Sequence, residues 1–230
     1  MNWDVIYDNL DLYAQGLQLT LLLTVVALGV SFFLALGLAV ARNAANPLLR
    51  HGVAAYTLVF RGTPLLIQLF LIYYGLAQFD LLRGSVLWTW LSNPLFCVLL
   101  AFILNTTAYT TEIFAGGLRH LPSGEVEAAR AYGMTPWTLL RRIMLPAMLI
   151  RTLSLYGNET IMMLHATSLA STVTLMEITG VARNITLNHY IQFEPYVTAG
   201  GLYLVLTMVL VLAFRFAQQR WASYLQPRRG

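Results

Sequence analysis

Apolar residues in this chain come in long unbroken runs, without the three-to-four-residue alternation of a soluble amphipathic helix. Leu17–Ala41 is 25 residues without a charge, and Pro195–Phe214 is 20 more. Either is long enough to cross the ~30 Å hydrocarbon layer as a helix. Three further spans follow from the same pattern: Pro64–Phe79 with part of Thr57–Thr63, then Leu95–Leu118, then Leu145–Leu164. Arg61-Gly62-Thr63-Pro64 interrupts the second span and Asn158-Glu159 the fourth. The pattern predicts an all-α integral membrane protein of about five transmembrane helices, a single membrane domain over residues 1–230. Connections are short apart from Arg119–Met144 and the stretch after His165, and long loops in compact domains tend to be functional. No internal repeat, low-complexity tract or soluble domain stands out.

Composition agrees. The chain is 58% hydrophobic and 10% charged with a mean hydropathy of +0.65, against about 25% charged residues in soluble domains. The first run exceeds a signal-peptide core, and it follows Asp4, Asp8 and Asp11 with no arginine before it. The single cysteine, Cys97, permits no intrachain disulfide. All fourteen basic residues are arginine. Arg42 and Arg50 fall between spans one and two. Arg119, Arg130, Arg141 and Arg142 fall between spans three and four, and Arg215, Arg220, Arg228 and Arg229 follow span five. The other loops hold only Arg83 and Arg183, offset by Asp80, Glu177 and Glu194. The positive-inside rule therefore predicts an N-terminus outside and a C-terminus in the cytoplasm. Membrane topology accounts for the pI near 9.4 and no nucleic-acid partner is needed.

The segment Gly124–Leu149, "GEVEAARAYGMTPWTLLRRIMLPAML", is the most informative interruption. Ser123 is placed to cap a helix starting near Gly124, with Glu125 and Glu127 favouring its positive end. Ala128 and Ala129 form helix well and project little, so another protein can approach closely. Gly133 suits the left-handed residue that ends such a helix. Thr135-Pro136 reads as a cap and first helical residue of a second helix, and Leu145-Pro146 as the start of the next span. The expected product is a helix–turn–helix on the cytoplasmic face, either an ordinary interfacial helix or a docking element.

The order Glu127-Ala128-Ala129, Gly133, Ile143-x-Leu145-Pro146 resembles the EAA coupling loop of binding-protein-dependent ABC importer permeases. Phe60-Arg61-Gly62-Thr63-Pro64-Leu65-Leu66-Ile67-Gln68-Leu69 and Ala108-Tyr109-Thr110-Thr111-Glu112-Ile113-Phe114 look like signatures of polar amino acid permeases. Asn158–Ala170 is similar to the M-type membrane subunits of histidine and lysine–arginine–ornithine permeases. The resemblance runs from the first span nearly to the C-terminus. It implies a type I ABC importer permease fold in a bacterial inner membrane, with a periplasmic N-terminus and a role in histidine, arginine, lysine or ornithine transport. It implies a heterodimer with a homologous Q-type subunit, two copies of a cytoplasmic ATPase seated on the 119–144 loop, and a periplasmic solute-binding protein. Many relatives have Lys-Asp where this chain has His165-Ala166, so their contacts at those two positions do not carry over.

Ionisable groups inside a membrane usually face a cavity, a partner or a pathway. Asn105, Tyr109, Glu112 and Gly116 share one face of the third span by their spacing. Asn158, Met162 and His165 share one face of the fourth, with Glu159 beside them. Counted from Pro146, Asn158 is ~18 Å and His165 ~29 Å along that helix. These faces are expected to line a substrate pathway in which Glu112 or Glu159 offsets the charge of a basic amino acid. The competing reading pairs each glutamate with an arginine such as Arg61 or Arg151, or places it at a subunit contact, and packs His165 as an ordinary core histidine. Arg61, with Gln68, is a gate or an anchor near the cytoplasmic boundary, where a long cationic side chain reaches water cheaply. As the alternative to a place on the pathway, Met162 reads as core together with Met163, and Tyr73 and Tyr74 as interfacial-belt residues or part of the outer mouth.

No G-x-x-x-x-G-K-S/T motif is present, so ATP and Mg would be bound by the partner ATPase and none by this chain. His51, His120, His165 and His189 have no helical pairing for haem or metal, and no nucleophile–base arrangement stands out. The expected protein is a non-catalytic importer subunit. Its rivals are an importer of another polar amino acid or an opine, a non-transport membrane anchor, and an ion-driven transporter, which would show inverted repeats.

Overall fold

The computed structural model describes residues 3–222. A short α1 (Trp3–Asp8) leads into α2 (Leu10–Arg42), a helix about 50 Å long by its rise per residue. The buried face of α2 recurs at near four-residue steps through Gly16, Thr20, Leu23, Ala27, Ser31, Ala35 and Ala39. Most of these side chains are small, which lets a neighbouring helix lie close. The opposite face carries Val25 and Phe33, well exposed, as expected of a surface covered by lipid tails.

α3 (Pro47–Gly62) and α4 (Leu65–Phe70) follow, and α4 continues through a wide turn over Leu71–Gly75 and a tight one over Leu76–Gln78. The short α5 (Asp80–Arg83) and α6 (Trp88–Leu91) connect to α7 (Pro94–Arg119). The Asn93 side chain accepts from the Leu95 amide at 2.9 Å, and Pro94 occupies the first helical position of α7. α7 is the central helix, packed against α2, α3, α4 and α10.

The second expected span is corrected. α3 and the α4 segment meet at 101° across Thr63-Pro64, so the chain folds back where one continuous span was expected. Pro64 has no amide hydrogen and drives the residue before it out of helical geometry, and Thr63 is extended at φ −118°, ψ 144°. A broken helix in a bilayer leaves carbonyls that water cannot reach. Here Gln68 Nε2 donates to the carbonyls of Phe60 at 2.8 Å and Thr63 at 3.0 Å. Asn105 Nδ2 from α7 donates to Phe60 and to Gln68 Oε1, both at 3.0 Å.

Beyond α7, α8 (Ser123–Ala131) precedes α9 (Pro136–Leu139), a wide π-type segment (Leu140–Met144) and α10 (Leu145–Ala166). The fourth span is also corrected. Expected to begin at Leu145-Pro146, it is continuous with α9 and runs on in tight turns to Val173. Pro146 would clash with the carbonyl four residues back in a regular helix; the widened turn immediately before α10 makes room for it. α11 (Ile178–His189) bends away by 42°, and α12 (Phe193–Ala222) closes the described chain. α12 begins two residues earlier and extends about two turns beyond the expected Pro195–Phe214. The expected arginines 228 and 229 lie outside the described residues.

Three apolar clusters stack along α2. Tyr13 meets Ile178, Val181 and Ile185 at one end. Leu23 and Ala27 meet Leu69, Phe102 and Met163 in the middle, and Ala35 and Ala39 meet Phe114, Leu118 and Met148 at the α8 end. α11 is fastened by a charge that sequence reading assigned to a loop. Fully buried Glu177 accepts from the Thr179 and Gly180 amides at 2.9 and 2.8 Å and from Tyr203 of α12 at 2.7 Å. Gly16 permits the approach of α2 to this turn, since a Cβ there would lie 2.9 Å from Val181 Cγ2.

Adjacent glycines of α7 give a direct test of packing. A Cβ on Gly116 meets nothing within 4 Å, whereas one on Gly117 runs into Thr152 and Met148 of α10. Gly116→Ala is expected to stabilise by up to about 1 kcal/mol through helix propensity. Gly117→Ala is expected to lose about 1–3 kcal/mol through overpacking, measured by thermal unfolding of the purified protein in detergent.

Candidate functional site

The fold-back at Thr63-Pro64 opens a cavity of about 550 Å³ between the break, α7 and α10, within the size range of small-molecule sites. Arg61, Gly62 and Thr63 come from the break, Asn105 and Tyr109 from α7, and Asn158, Glu159 and Met162 from α10. Five of the seven residues expected to line a pathway therefore meet in one place: Asn105, Tyr109, Asn158, Glu159 and Met162. Met162 is exposed to the cavity, while Met163 turns into the core and accepts from Thr106 Oγ1 at 3.0 Å. Tyr109 donates to the Arg61 carbonyl at 3.3 Å, and the Arg61 guanidinium stands over the Tyr109 ring at 5.3 Å.

Glu112 and His165 are elsewhere. One Glu112 oxygen accepts from Arg42 Nε and Thr57 Oγ1, each at 2.8 Å, and the other lies 3.5 Å from Arg119. This carboxylate ties the end of α2 and the middle of α3 to α7, and it lines a separate cleft with Arg42, Thr57 and Arg61. The expected alternative of an arginine partner is what the geometry shows, although the partners are Arg42 and Arg119 and neither Arg61 nor Arg151. His165 is held by Thr207 of α12, with Nε2 2.9 Å from Oγ1, and its ring lies beside Tyr203. Its neighbour Ala166 does line the cavity.

Gln68 and Arg61, expected as gate or anchor, lie in different surroundings. Gln68 is buried, its amide spent on the break. Arg61 is exposed and reaches both the cavity beside Glu159 and the cleft beside Glu112. The ion pairs shorter than 4.0 Å among the described residues are Arg42–Glu112, Arg119–Glu112 and Arg151–Glu125, so Arg61 and Glu159 border one cavity without a direct ion pair.

The expected coupling element is a compact unit. Ser123 is the first residue of α8 and caps nothing; Pro122 occupies the cap position, without a side-chain cap bond, which corrects the expected start. Gly133 has φ +76°, and the Gly133 and Met134 amides return to the carbonyls of Arg130 and Ala129 at 2.9 and 3.2 Å. This is a Schellman ending, which a left-handed residue at that position permits. Thr135 caps α9 by accepting from the Thr138 amide at 3.3 Å. Ala129 is buried, while Glu127 and Ala128 are exposed. Ile143 lies in the widened segment, and Leu145 and Pro146 open α10. Arg151 of α10 reaches Glu125 of α8 at 3.3 Å, an attachment whose only sequence signal is a lone arginine one turn inside the fourth span.

The profile of the family described as "Binding-protein-dependent transport system inner membrane component" matches residues 31–223. An octopine transport system permease protein of Rhizobium meliloti is 44% identical over 93% of this chain and 86% of its own length. A histidine/lysine/arginine/ornithine transport system permease protein of Escherichia coli is 40% identical over 92% of this chain and 90% of its own. Among solved structures, a chain of an amino acid ABC transporter determined with histidines superposes with a TM-score of 0.85 at 29% identity, covering 96% of this chain and 99% of that one. A chain of the inward-facing MetNI methionine ABC transporter shares the fold at a TM-score of 0.73 and 22% identity, covering 96% and 99%.

Glu112→Gln removes the negative charge shared by two arginines at a mostly buried position, so about 2 kcal/mol of stability is expected to go with it. Combining it with Arg42→Met is expected to cost less than the sum of the two single changes, because both remove one interaction. A double-mutant cycle in thermal unfolding measures this; full additivity would show that the pair is not coupled.

Proposed function

The chain belongs to the binding-protein-dependent transport system inner membrane components, and from that premise we propose that it is the membrane-spanning subunit of an ATP-driven importer of basic amino acids. The observation that carries the substrate class is the convergence of Glu159, Asn158, Asn105 and Tyr109 on one cavity at the helix break. Glu159 would offset the cationic side chain of arginine, lysine, ornithine or protonated histidine. The Asn158 amide supplies a neutral donor and acceptor for the carboxylate and amino groups, and the Asn105 and Tyr109 oxygens, whose neighbouring hydrogens are held by the break, remain as acceptors. Support also comes from the relatives that carry histidine, lysine, arginine, ornithine or octopine according to their names.

In this reading α8 and its Schellman turn face the cytoplasm and seat on a separate ATPase, which holds the ATP and Mg. Exposed Ala128 presents a surface that a partner groove can approach closely, and Glu125–Arg151 links that surface to α10. One chain contributes about five spans, so a second, homologous Q-type subunit completes the path. Two ATPase copies lie beneath the pair and a periplasmic solute-binding protein delivers the substrate above it. The N-terminus is then periplasmic and the C-terminus cytoplasmic. The octopine relative favours a second reading within the same chemistry: an arginine-derived opine, whose guanidinium would meet Glu159 as that of arginine does.

Two substitutions separate binding from coupling. Glu159→Gln is expected to weaken arginine binding to the solubilised importer about tenfold or more, the worth of a hydrogen bond to a charged group; unchanged affinity would remove Glu159 from the site. Ala128→Glu, on an exposed surface, is expected to leave folding and arginine binding intact while abolishing ATP-driven uptake and releasing the ATPase on purification. Full uptake with that variant would rule out docking through α8.

A further inference from the structure

Arg61 stands between the two intramembrane glutamates. It ends α3 at the fold-back, and its side chain borders two clefts: the cavity that holds Glu159 and the neighbouring one that holds Glu112. The guanidinium stands over the Tyr109 ring, and Tyr109 and Glu112 are three residues apart on α7, so the two clefts share one helix face. Among the described residues no acid lies within 4.0 Å of the guanidinium, whereas Arg42, Arg119 and Arg151 are each engaged. The backbone beneath it, by contrast, is fixed: the Arg61 carbonyl accepts from Tyr109, and the Phe60 carbonyl from Gln68 and Asn105. A rigid base thus carries a cationic arm that rests on the Tyr109 ring and is held by no close ion pair.

We propose that Arg61 is the resident counter-ion of Glu159, displaced by the cationic group of the substrate and received by the Glu112 cleft. This deepens the reading of the cavity as a basic amino acid site and rests on it. A cation entering the cavity gains Glu159 and meets the repulsion of Arg61. The two charges cannot share one carboxylate at close range without cost, and low local dielectric raises that cost. Rotation of the Arg61 side chain away from Glu159 relieves it, because Arg61 is exposed and the second cleft lies open beside the same helix end. The displaced arm then reports occupancy from the site to the Glu112 junction, where α2, α3 and α7 are tied. Discrimination follows: a neutral analogue of equal shape offers nothing that would dislodge the arginine.

Arginine and citrulline, nearly isosteric and differing in charge, provide the test. Binding of each labelled compound is measured on the solubilised importer with its co-purifying subunits. Arg61→Gln is expected to tighten arginine by at least about fivefold, the lower end of site–site coupling, and to leave citrulline unchanged. Arg61→Lys is expected to keep the native arginine affinity, and in a Glu159→Gln background Arg61→Gln should no longer alter arginine binding. Arg61→Gln that weakens both compounds, or changes neither, overturns the counter-ion role. Should that variant fail to assemble, peptide-resolved phenylglyoxal labelling of the native protein decides: the Arg61 rate changes with bound arginine and not with citrulline, and an unchanged rate overturns the proposal. Saturable, Glu159-dependent arginine binding that is indifferent to Arg61 removes this proposal alone. Absence of any saturable arginine binding to the native protein removes the reading of the cavity itself.

Discussion

A bilayer offers no water to a broken helix, and that single constraint organises the centre of this molecule. Pro64 breaks the second span, and the carbonyls of Phe60 and Thr63 must find donors inside the protein. Gln68 and Asn105 supply them, one from each side of the break. Once the carbonyls are satisfied the two arms can diverge by 101°, and the space between them becomes the cavity. Polarity in the membrane interior is therefore of two kinds here. Some polar groups close the break, and others, Asn158 and Glu159, remain available because the break is already closed.

The distribution of charge follows a related division. Glu112, Arg42 and Arg119 form one junction, and Glu125 with Arg151 forms another, both toward the end of the bundle that carries α8. Each is partly exposed, so neither is an expensive fully buried pair. Together they fasten three helices to one another and α8 to the body. Glu177 performs a comparable task at the opposite end without any cation, its carboxylate filled by two amides and a phenol.

Much of this was legible in the chain. Unbroken apolar runs located α2, α7 and α12, because the need to cross a fixed thickness is a strong local signal. Gly133 and Thr135-Pro136 marked the turn between α8 and α9, since a left-handed residue and a proline-led cap are local chemistry. The helical period put Asn105, Tyr109, Asn158 and Met162, with Glu159 beside them, on two faces that meet at one cavity, although it put Glu112 and His165 on those faces as well. What was not legible depended on distant residues. Proline signalled a helix start at residue 64 but not a fold-back, whose angle is set by Gln68 and by Asn105, 37 residues farther on. Glu112 shares the face of Tyr109, yet its partner Arg42 is 70 positions away and no local pattern announces the pairing. Glu177 read as a loop charge: its bonds to the Thr179 and Gly180 amides are local, but its burial and its bond to Tyr203 depend on α12 lying beside it.

The widened turn at Leu140–Met144 has a mechanical meaning. It lets proline enter the chain without interrupting the helix, so Pro136 to Val173 is one rod. Asn158 then sits roughly 33 Å along that rod from Pro136, with no slack between them. A tilt of about 5° imposed at the α9 end would carry the Asn158 side of the cavity sideways by roughly 3 Å over that length, comparable to a hydrogen-bond length. A flexible linker would have absorbed such a motion; a stiff beam delivers it whole.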